Sequence, residues 1–598
     1  MREGGRFGEE GWGYEPEGVL LSRLNNAFFR NLWHLSTIAL RTWTDWLLFL
    51  SLPVLVAAYI AAGYYEMLVP GYLYTTLIED DLQGFIHRCL QLLGLVILIT
   101  VLKTLRSFTT SWLANSWRIS ITNEIHGLYM SDLTFHTLRM EYARIDNPDQ
   151  RIVTDIKELT STFFTILGGV GAGGAYEAFG NILWYSVQVG QRCGWYGVVT
   201  GYVWSAVMAL ISVAFINVVA PWVFRQERLE AVFRFLHVTL RTRAEDIAFQ
   251  GHGTHEYETL DTSLVRCVDN TKQIIYRQIY LNVIQFWYGY MTTFVMYFSV
   301  GVAVFSGLAW EYTAEGERAQ WIAQTSGSFM FLLWGFTILI QLSTQTSDFV
   351  AYVTRVSELH DALLDSKRRN GHDTHPNTNT ALNESQMFID NPQTLVVDKL
   401  QITSPAAEVL MSGLSFTLAK GDSLLLLASS GKGKSSLLRV LRGLWPASQG
   451  SVSLPAKLST GTGGLFFLPQ RAYLAHELTL KQHVMYPTMQ ADDAASDDTI
   501  RALLCEFGLE RVLERVGGLD VIANWHTMLS VGEQQRLCLA RVVWHQPSIA
   551  ILDEATSSLD AEWEKRVYQS FVKRNIGVLS VGHRETLCAL HNRVIKLA

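Results

Sequence analysis

Charge is scarce in this sequence. Only 17% of its 598 residues are Asp, Glu, Lys or Arg, whereas 49% are hydrophobic and 18 are Trp. That balance leans away from an ordinary soluble chain and toward a membrane protein diluted by a soluble part. The net charge of -7 offers no positive excess, so nucleic acid is not expected as a partner. Six cysteines stand far apart at 89, 193, 267, 505, 538 and 588 with no C-x-x-C pair. Neither a structural zinc site nor a disulfide framework is signalled, and free thiols are expected. A secretory leader is missing as well: residues 1–18 are acidic and Gly-rich, without a basic start, an apolar run or a small-residue cleavage site.

Long apolar runs, by contrast, are abundant. They fall near residues 46–67, 90–105, 163–187, 196–222, 283–309 and 329–343, each approaching the roughly 20 residues that cross a bilayer. Six transmembrane helices are predicted within a membrane domain over 41–365. Ahead of it, in the segment 1–40, residues 19–40 place Leu, Phe and Trp at helical spacing with Arg23, Arg30 and Arg41 between them. That pattern fits a helix on the cytosolic membrane surface or a packed helix equally well.

Positive charge orients the spans, because Lys- and Arg-rich loops stay in the cytosol. The segment between runs two and three carries Arg118, Arg139, Arg144, Arg151 and Lys157. That between runs four and five carries Arg225, Arg228, Arg234, Arg241, Arg243, Arg266, Lys272 and Arg277. Both are predicted to be cytosolic extensions of the spanning helices. From Glu66 to His87 there is no Lys or Arg before Arg88, and the loop after run five holds Glu311, Glu315, Glu317 and Arg318; these face the other side. A polar stretch without periodicity, 366–394, reads as a linker. Its Asn383-Glu384-Ser385 sequon lies on the cytosolic side and is read as chance.

From 395 to 598 short apolar strands such as 423–427 and 549–552 alternate with helical segments, the pattern of an α/β domain around a largely parallel sheet. Directly after LLLL (424–427) comes Ala428-Ser429-Ser430-Gly431-Lys432-Gly433-Lys434-Ser435, followed by Ser436 and a helix pattern. This is a P-loop in its strand-loop-helix setting. Backbone N–H groups cradle phosphate, Lys434 reaches the β and γ phosphates, and Ser435 suits Mg²⁺. Ala428 replaces the first glycine of the usual pattern, a small change where φ stays negative. A second strand ends in Asp553 and Glu554. Asp553 suits the Mg²⁺ shell and Glu554 suits polarising an attacking water, so hydrolysis of ATP is expected as well as binding.

The segment Leu529-Ser530-Val531-Gly532-Glu533-Gln534-Gln535-Arg536 resembles the signature motif of ATP-binding-cassette transporters. Gln470 in FFLPQRAYL resembles the family's Q-loop, Ser558-Leu559-Asp560 its D-loop, and His583 in SVGHR its switch histidine. The resemblance implies catalytic roles for Glu554, His583 and Gln470, with Gln470 also near the metal. ATP contacts are implied for Ser429 to Ser436 and, from a second chain, for Ser530, Gly532, Glu533 and Asp560. It further implies cassettes meeting head to tail, hence a homodimer or a pairing with another half-transporter. Val531 replaces a common glycine, and no aromatic residue stands at Thr403 or Ser404 to stack on adenine.

The stretches Ile145-Asp146-Asn147-Pro148-Asp149-Gln150-Arg151 and Arg243-Ala244-Glu245-Asp246-Ile247-Ala248-Phe249 resemble loops of subfamily D, the peroxisomal-type half-transporters. Within it, VFSGL (304–308), STQTSDFVAYVTRV (343–356), LLRVLRGLW (437–445) and SVGHRETL (580–587) are most similar to the branch that moves cobalamin from the lysosomal lumen to the cytosol. That branch implies a lysosomal membrane location reached through the endoplasmic reticulum and a multispanning escort protein. The alternatives are a peroxisomal importer of fatty acyl-CoA, which needs cations such as Lys103 and Arg106 for the CoA phosphates, and a bacterial importer of cobalamin or peptides.

Overall fold

The computed structural model describes residues 26–141, 145, 147–169, 173–251, 253–307, 315–370, 394–403, 408–427, 433–445, 447–455, 464–487 and 497–596. The chain divides into two compact units, Met1–His372 and Asp373–Ala598. Most of the linker, with its sequon, and the P-loop residues Ser429, Ser430, Gly431 and Lys432 lie outside the described residues.

The first unit is helical. Helix α1 (Asn26–Ala39) turns Phe28, Leu35 and Ala39 inward and leaves Trp33 exposed, so it is packed and amphipathic at once. The Thr42 hydroxyl accepts the Asp45 N–H at 3.2 Å and starts α2 (Trp43–Ile78). Asp81 does the same for Gly84 at 3.0 Å and starts α3 (Leu82–Met130). These side chains occupy donors that a helix start leaves unpaired. Because α2 runs on to Ile78, the outer connection is only residues 79–81, and Glu66, expected at the edge of a loop, lies within the helix.

Among the described residues, five helices are long and apolar enough to cross a membrane: Trp43–Ile78, Leu82–Met130, Trp195–Phe215, Gly253–Phe305 and Glu315–Ser343. The last three belong to α6 (Trp195–Thr242), α7 (Gly253–Phe305) and α8 (Glu315–Asn370). The run 163–187, expected as one span, is instead divided into α4 (Ile156–Gly168) and α5 (Ala175–Cys193). Gly169 sits at φ 75°, and a Cβ there would come within 2.4 Å of the Gly174 nitrogen. Backbone meets backbone so closely that only glycine fits. Such breaks in a membrane helix persist where protein covers the freed polar groups.

An aromatic core ties these helices together: the buried Trp117 ring stacks on Phe163 at 4.9 Å and meets Phe164 edge-on at 4.8 Å. Asn147, in the left-handed region, leads into the turn Pro148–Gln150. The next turn then buries Arg151, whose guanidinium donates to the Arg355 carbonyl at 2.9 Å and to Glu358 at 3.1 Å. Asp155 returns the contact by pairing with Arg355 at 2.9 Å. The subfamily-like stretch is thereby pinned to α8.

The second unit holds two sheets. Strands β1 (Thr394–Thr403), β2 (Val409–Ala419) and β4 (Gln449–Ser453) form an antiparallel sheet in the order β2-β1-β4, which the strand pattern in the sequence does not separate. The central sheet is wholly parallel, in the order β5-β6-β7-β3-β8. It comprises β3 (Ser423–Leu427), β5 (Leu465–Leu468), β6 (Ile549–Asp553), β7 (Gly577–Gly582) and β8 (Arg593–Lys596). Strands β3, β6 and β7 are buried almost throughout, as expected where both faces of a parallel sheet are covered. Four helices matter for the site: α9 (Lys434–Leu441), α10 (Leu480–Met485), α11 (Val531–His545) and α12 (Ala561–Lys573).

Candidate nucleotide site

Parallel strands deliver their C-terminal ends to one side of a sheet, where ligands of such folds collect. Here β3 leads through the phosphate loop to Lys434 and Ser435 at the start of α9. Strand β5 is followed by Gln470, β6 ends in Asp553 and Glu554, and β7 is followed by His583. Gly433, at φ 78°, turns the chain into α9. That helix opens with no side-chain cap, leaving N–H groups for an anion.

Glu554 is the hub. Its Oε1 accepts from Lys434 Nζ at 3.2 Å and faces His583 Nδ1 at 3.3 Å, while its Oε2 accepts from Gln470 Nε2 at 3.0 Å. Its backbone takes φ 46°, held by its N–H donating to the Val581 carbonyl at 2.9 Å. A non-glycine residue at positive φ is uncommon and marks a side chain aimed deliberately. Burial works against charge on Glu554. The hydrogen bonds and charges of Lys434 and His583 outweigh it and hold the carboxyl below its ordinary range. Asp553 next door goes the other way: burial first, then the charge of Glu554, raises its pKa. A carboxyl so disfavoured in its charged form gains from a nearby cation. Among the described residues no group of three or more His, Cys, Asp or Glu could hold a metal alone. Asp553 and the exposed Ser435 therefore fit an ion that completes its shell with phosphate oxygens and water, the habit of Mg²⁺.

The structure brings Lys434, Gln470, Asp553, Glu554 and His583 together, with Gly433, Ser435 and the buried Ser436 beside them. The signature residues form a separate station. Ser530 caps α11: its hydroxyl accepts the Glu533 N–H at 3.3 Å, and Glu533 accepts the Ser530 N–H at 2.8 Å. This capping box leaves Ser530 and Val531 exposed at a helix N-terminus. Asp560 caps α12 through the Trp563 N–H at 2.8 Å.

Three residues to which motif reading gave no role tie these stations together. Gln535 donates to the Ser557 hydroxyl at 3.2 Å and accepts the Ser558 N–H at 3.0 Å, joining signature helix to D-loop. Arg584 donates to the carbonyls of Ser557 and Leu559, joining the His583 segment to the same loop. Arg541, buried on α11, donates to the Tyr473 carbonyl at 2.7 Å, three residues past Gln470. Gln535 and Arg584 stand inside the motif stretches 529–536 and 580–584, and that placement was the available signal.

Comparison with known proteins agrees with this geometry. Residues 36–305 match the family described as ABC transporter transmembrane region 2, and residues 411–557 the family described as ABC transporter. The chain is similar to the lysosomal cobalamin transporter ABCD4 of Mus musculus, 33% identical over 546 residues, covering 89% of this chain and 88% of that one. It is also similar to the lysosomal cobalamin transporter ABCD4 of Homo sapiens, 30% identical, covering 98% and 97%. The chloroplastic ABC transporter D family member 2 of Arabidopsis thaliana is 29% identical, covering 83% and 75%. A bacterial Atm1-family ABC exporter solved with ATP bound shares the fold, with a TM-score of 0.64 at 16% identity over 92% of this chain and 93% of that one.

Proposed function

The chain belongs to the D family of ABC half-transporters, and on that footing we propose that it carries cobalamin out of the lysosomal lumen into the cytosol. As a half-transporter of this family it is a multi-pass membrane protein that binds and hydrolyses ATP, dimerises and moves small-molecule cargo. The observation that carries the cobalamin reading is similarity along nearly the whole length of both chains to a lysosomal cobalamin transporter.

In this proposal Glu554 polarises the attacking water, His583 and Gln470 set its geometry, and Lys434 draws the γ phosphate toward the hub. When bound, Mg²⁺ would be held by Ser435 and Asp553, with Gln470 alongside, and would neutralise phosphate charge. Ser530 and Gly532 would offer the positive end of α11 to the nucleotide on a second copy. The acyl-CoA alternative loses support within the helical unit. Arg106, named among the cations that could serve CoA phosphates, is buried and paired with Glu177.

Reconstitution tests the reading. In proteoliposomes containing the full-length dimer, cobalamin is expected to stimulate ATP hydrolysis and long-chain acyl-CoA to leave it near the unstimulated rate. Stimulation by acyl-CoA alone would move the chain to the other branch.

A further inference from the structure

Between α2, α3, α5 and α8 lies a cavity of about 260 Å³ whose wall combines aromatic rings with polar groups that the protein leaves unanswered. Two carboxylates border it, Glu66 and Glu177. Glu177 is answered by Arg106 at 2.5 Å, and the same guanidinium lies over the Tyr59 ring at 4.9 Å. Glu66, in the middle of α2, has no hydrogen-bond or ion-pair partner among the described residues. Asn181 on α5, only 4% exposed, has no hydrogen-bond partner among them either, and it also lines the cavity.

Buried polar groups are nearly always hydrogen-bonded, and an ionisable residue within a membrane bundle is expensive enough to mark a working site. Here the missing partners point into one space. Tyr59, Tyr185 and Trp334 supply its apolar faces, the usual combination of a pocket that orients a ligand by a few convergent polar groups. With Glu177 neutralised by Arg106, the uncompensated charge on the wall is the negative one of Glu66. A phosphate or carboxylate would be repelled. A primary amide fits, because its NH₂ donates to a carboxylate while a neighbouring side-chain amide can both donate and accept.

We propose that this pocket holds the cargo by a primary-amide arm, with Glu66 accepting from the amide nitrogen and Asn181 completing the pair. The assignment rests on the cobalamin reading, since a corrin carries primary-amide arms around its rim. A cavity of this size receives one such arm, not the whole molecule. It also gives Glu66 a task within α2 that its sequence position at the edge of an acidic loop did not suggest.

The test is a cobalamin titration of ATP hydrolysis by the full-length dimer in proteoliposomes, each variant scaled to its own rate without cargo. Glu66→Leu is expected to raise the half-stimulating concentration roughly tenfold or more, the effect of losing a hydrogen bond to a charged group. Glu66→Gln, which keeps an acceptor oxygen, should raise it less. Gly63→Leu blocks the cavity by another route, since a Cβ at Gly63 meets no atom within 4 Å and the side chain grows into the open space. It should raise the half-stimulating concentration as well. If the wild-type protein is stimulated and all three variants keep its half-stimulating concentration, the pocket assignment is overturned while the cobalamin reading stands. The assignment is likewise overturned if the variants are merely slower at every concentration. If cobalamin does not stimulate the wild-type protein, the cobalamin reading falls and takes the pocket assignment with it.

Discussion

Glu554 receives three donors from three different strand ends, and that convergence decides what its substitution should do. Replacing it with Gln removes the negative charge but keeps the size of the side chain and one acceptor oxygen. Lys434 and the phosphate-binding backbone are untouched, so ATP should still bind. A general base or water-orienting carboxylate contributes roughly 10²- to 10⁴-fold, and Glu554→Gln should lower kcat by about that factor. Phosphate release measured beside retained nucleotide checks both halves of the expectation; wild-type turnover would remove Glu554 from the role. At this scale the sequence was informative wherever a motif follows a strand. Gln470, Asp553, Glu554 and His583 were legible because each stands at or just past the end of a short apolar strand, and Lys434 because it closes the phosphate loop that follows one. Gln535, Arg584 and Arg541 were not, because each acts chiefly through backbone groups far away in sequence.

Helix α11 carries the signature at one end and a buried guanidinium near the other, so its placement depends on α10. Arg541 Nε donates to the His483 carbonyl at 2.6 Å and its Nη2 lies 3.1 Å from the His483 ring. Burial first, then the positive charges of Arg541 and His526, push the His483 pKa down to about 4. The unfolded chain takes up this proton near pH 6.5. Between about 6.5 and 4 the unfolded state therefore binds more protons, and stability is lost as pH falls through that window, by up to about 3 kcal/mol. The full-length protein should show a lower Tm at pH 5 than at pH 7, and His483→Gln should narrow the difference. An unchanged difference would show that His483 does not carry it. Elements were less legible than motifs. Hydropathy shows one span across 163–187 because Gly, Val and Ala read as apolar, whereas φ 75° at Gly169 breaks the helix there. The end of α2 is misplaced for a related reason, since acidic residues read as the start of a loop while the helix runs through Glu66. The pinning of Arg151 to α8 spans about two hundred residues and leaves no local pattern.

Each chain carries one phosphate loop and one signature, and within the cassette they occupy separate stations: Lys434 at the Glu554 hub, Ser530 exposed on the cap of α11. If the two stations meet only across a symmetric dimer, every ATP site uses Lys434 from one copy and Ser530 from the other. Defects at the two positions should then complement each other. Lys434→Ala alone spoils both sites, and so does Ser530→Arg, which puts a bulky cation where the γ phosphate would approach. When the two variants are co-expressed, half of the dimers are mixed. Each mixed dimer pairs an intact Lys434 with an intact Ser530 at one site and both defects at the other. About a quarter of wild-type ATP hydrolysis should return if the sites work independently. The measurement is ATPase activity of a doubly tagged, mixed preparation against each variant purified alone. No recovery in the mixed dimers would mean either that both sites must fire together or that the stations do not pair across chains. Nucleotide trapped at one site per dimer would identify the first. Two empty sites would identify the second, and with it a dimer built differently from the head-to-tail arrangement expected here.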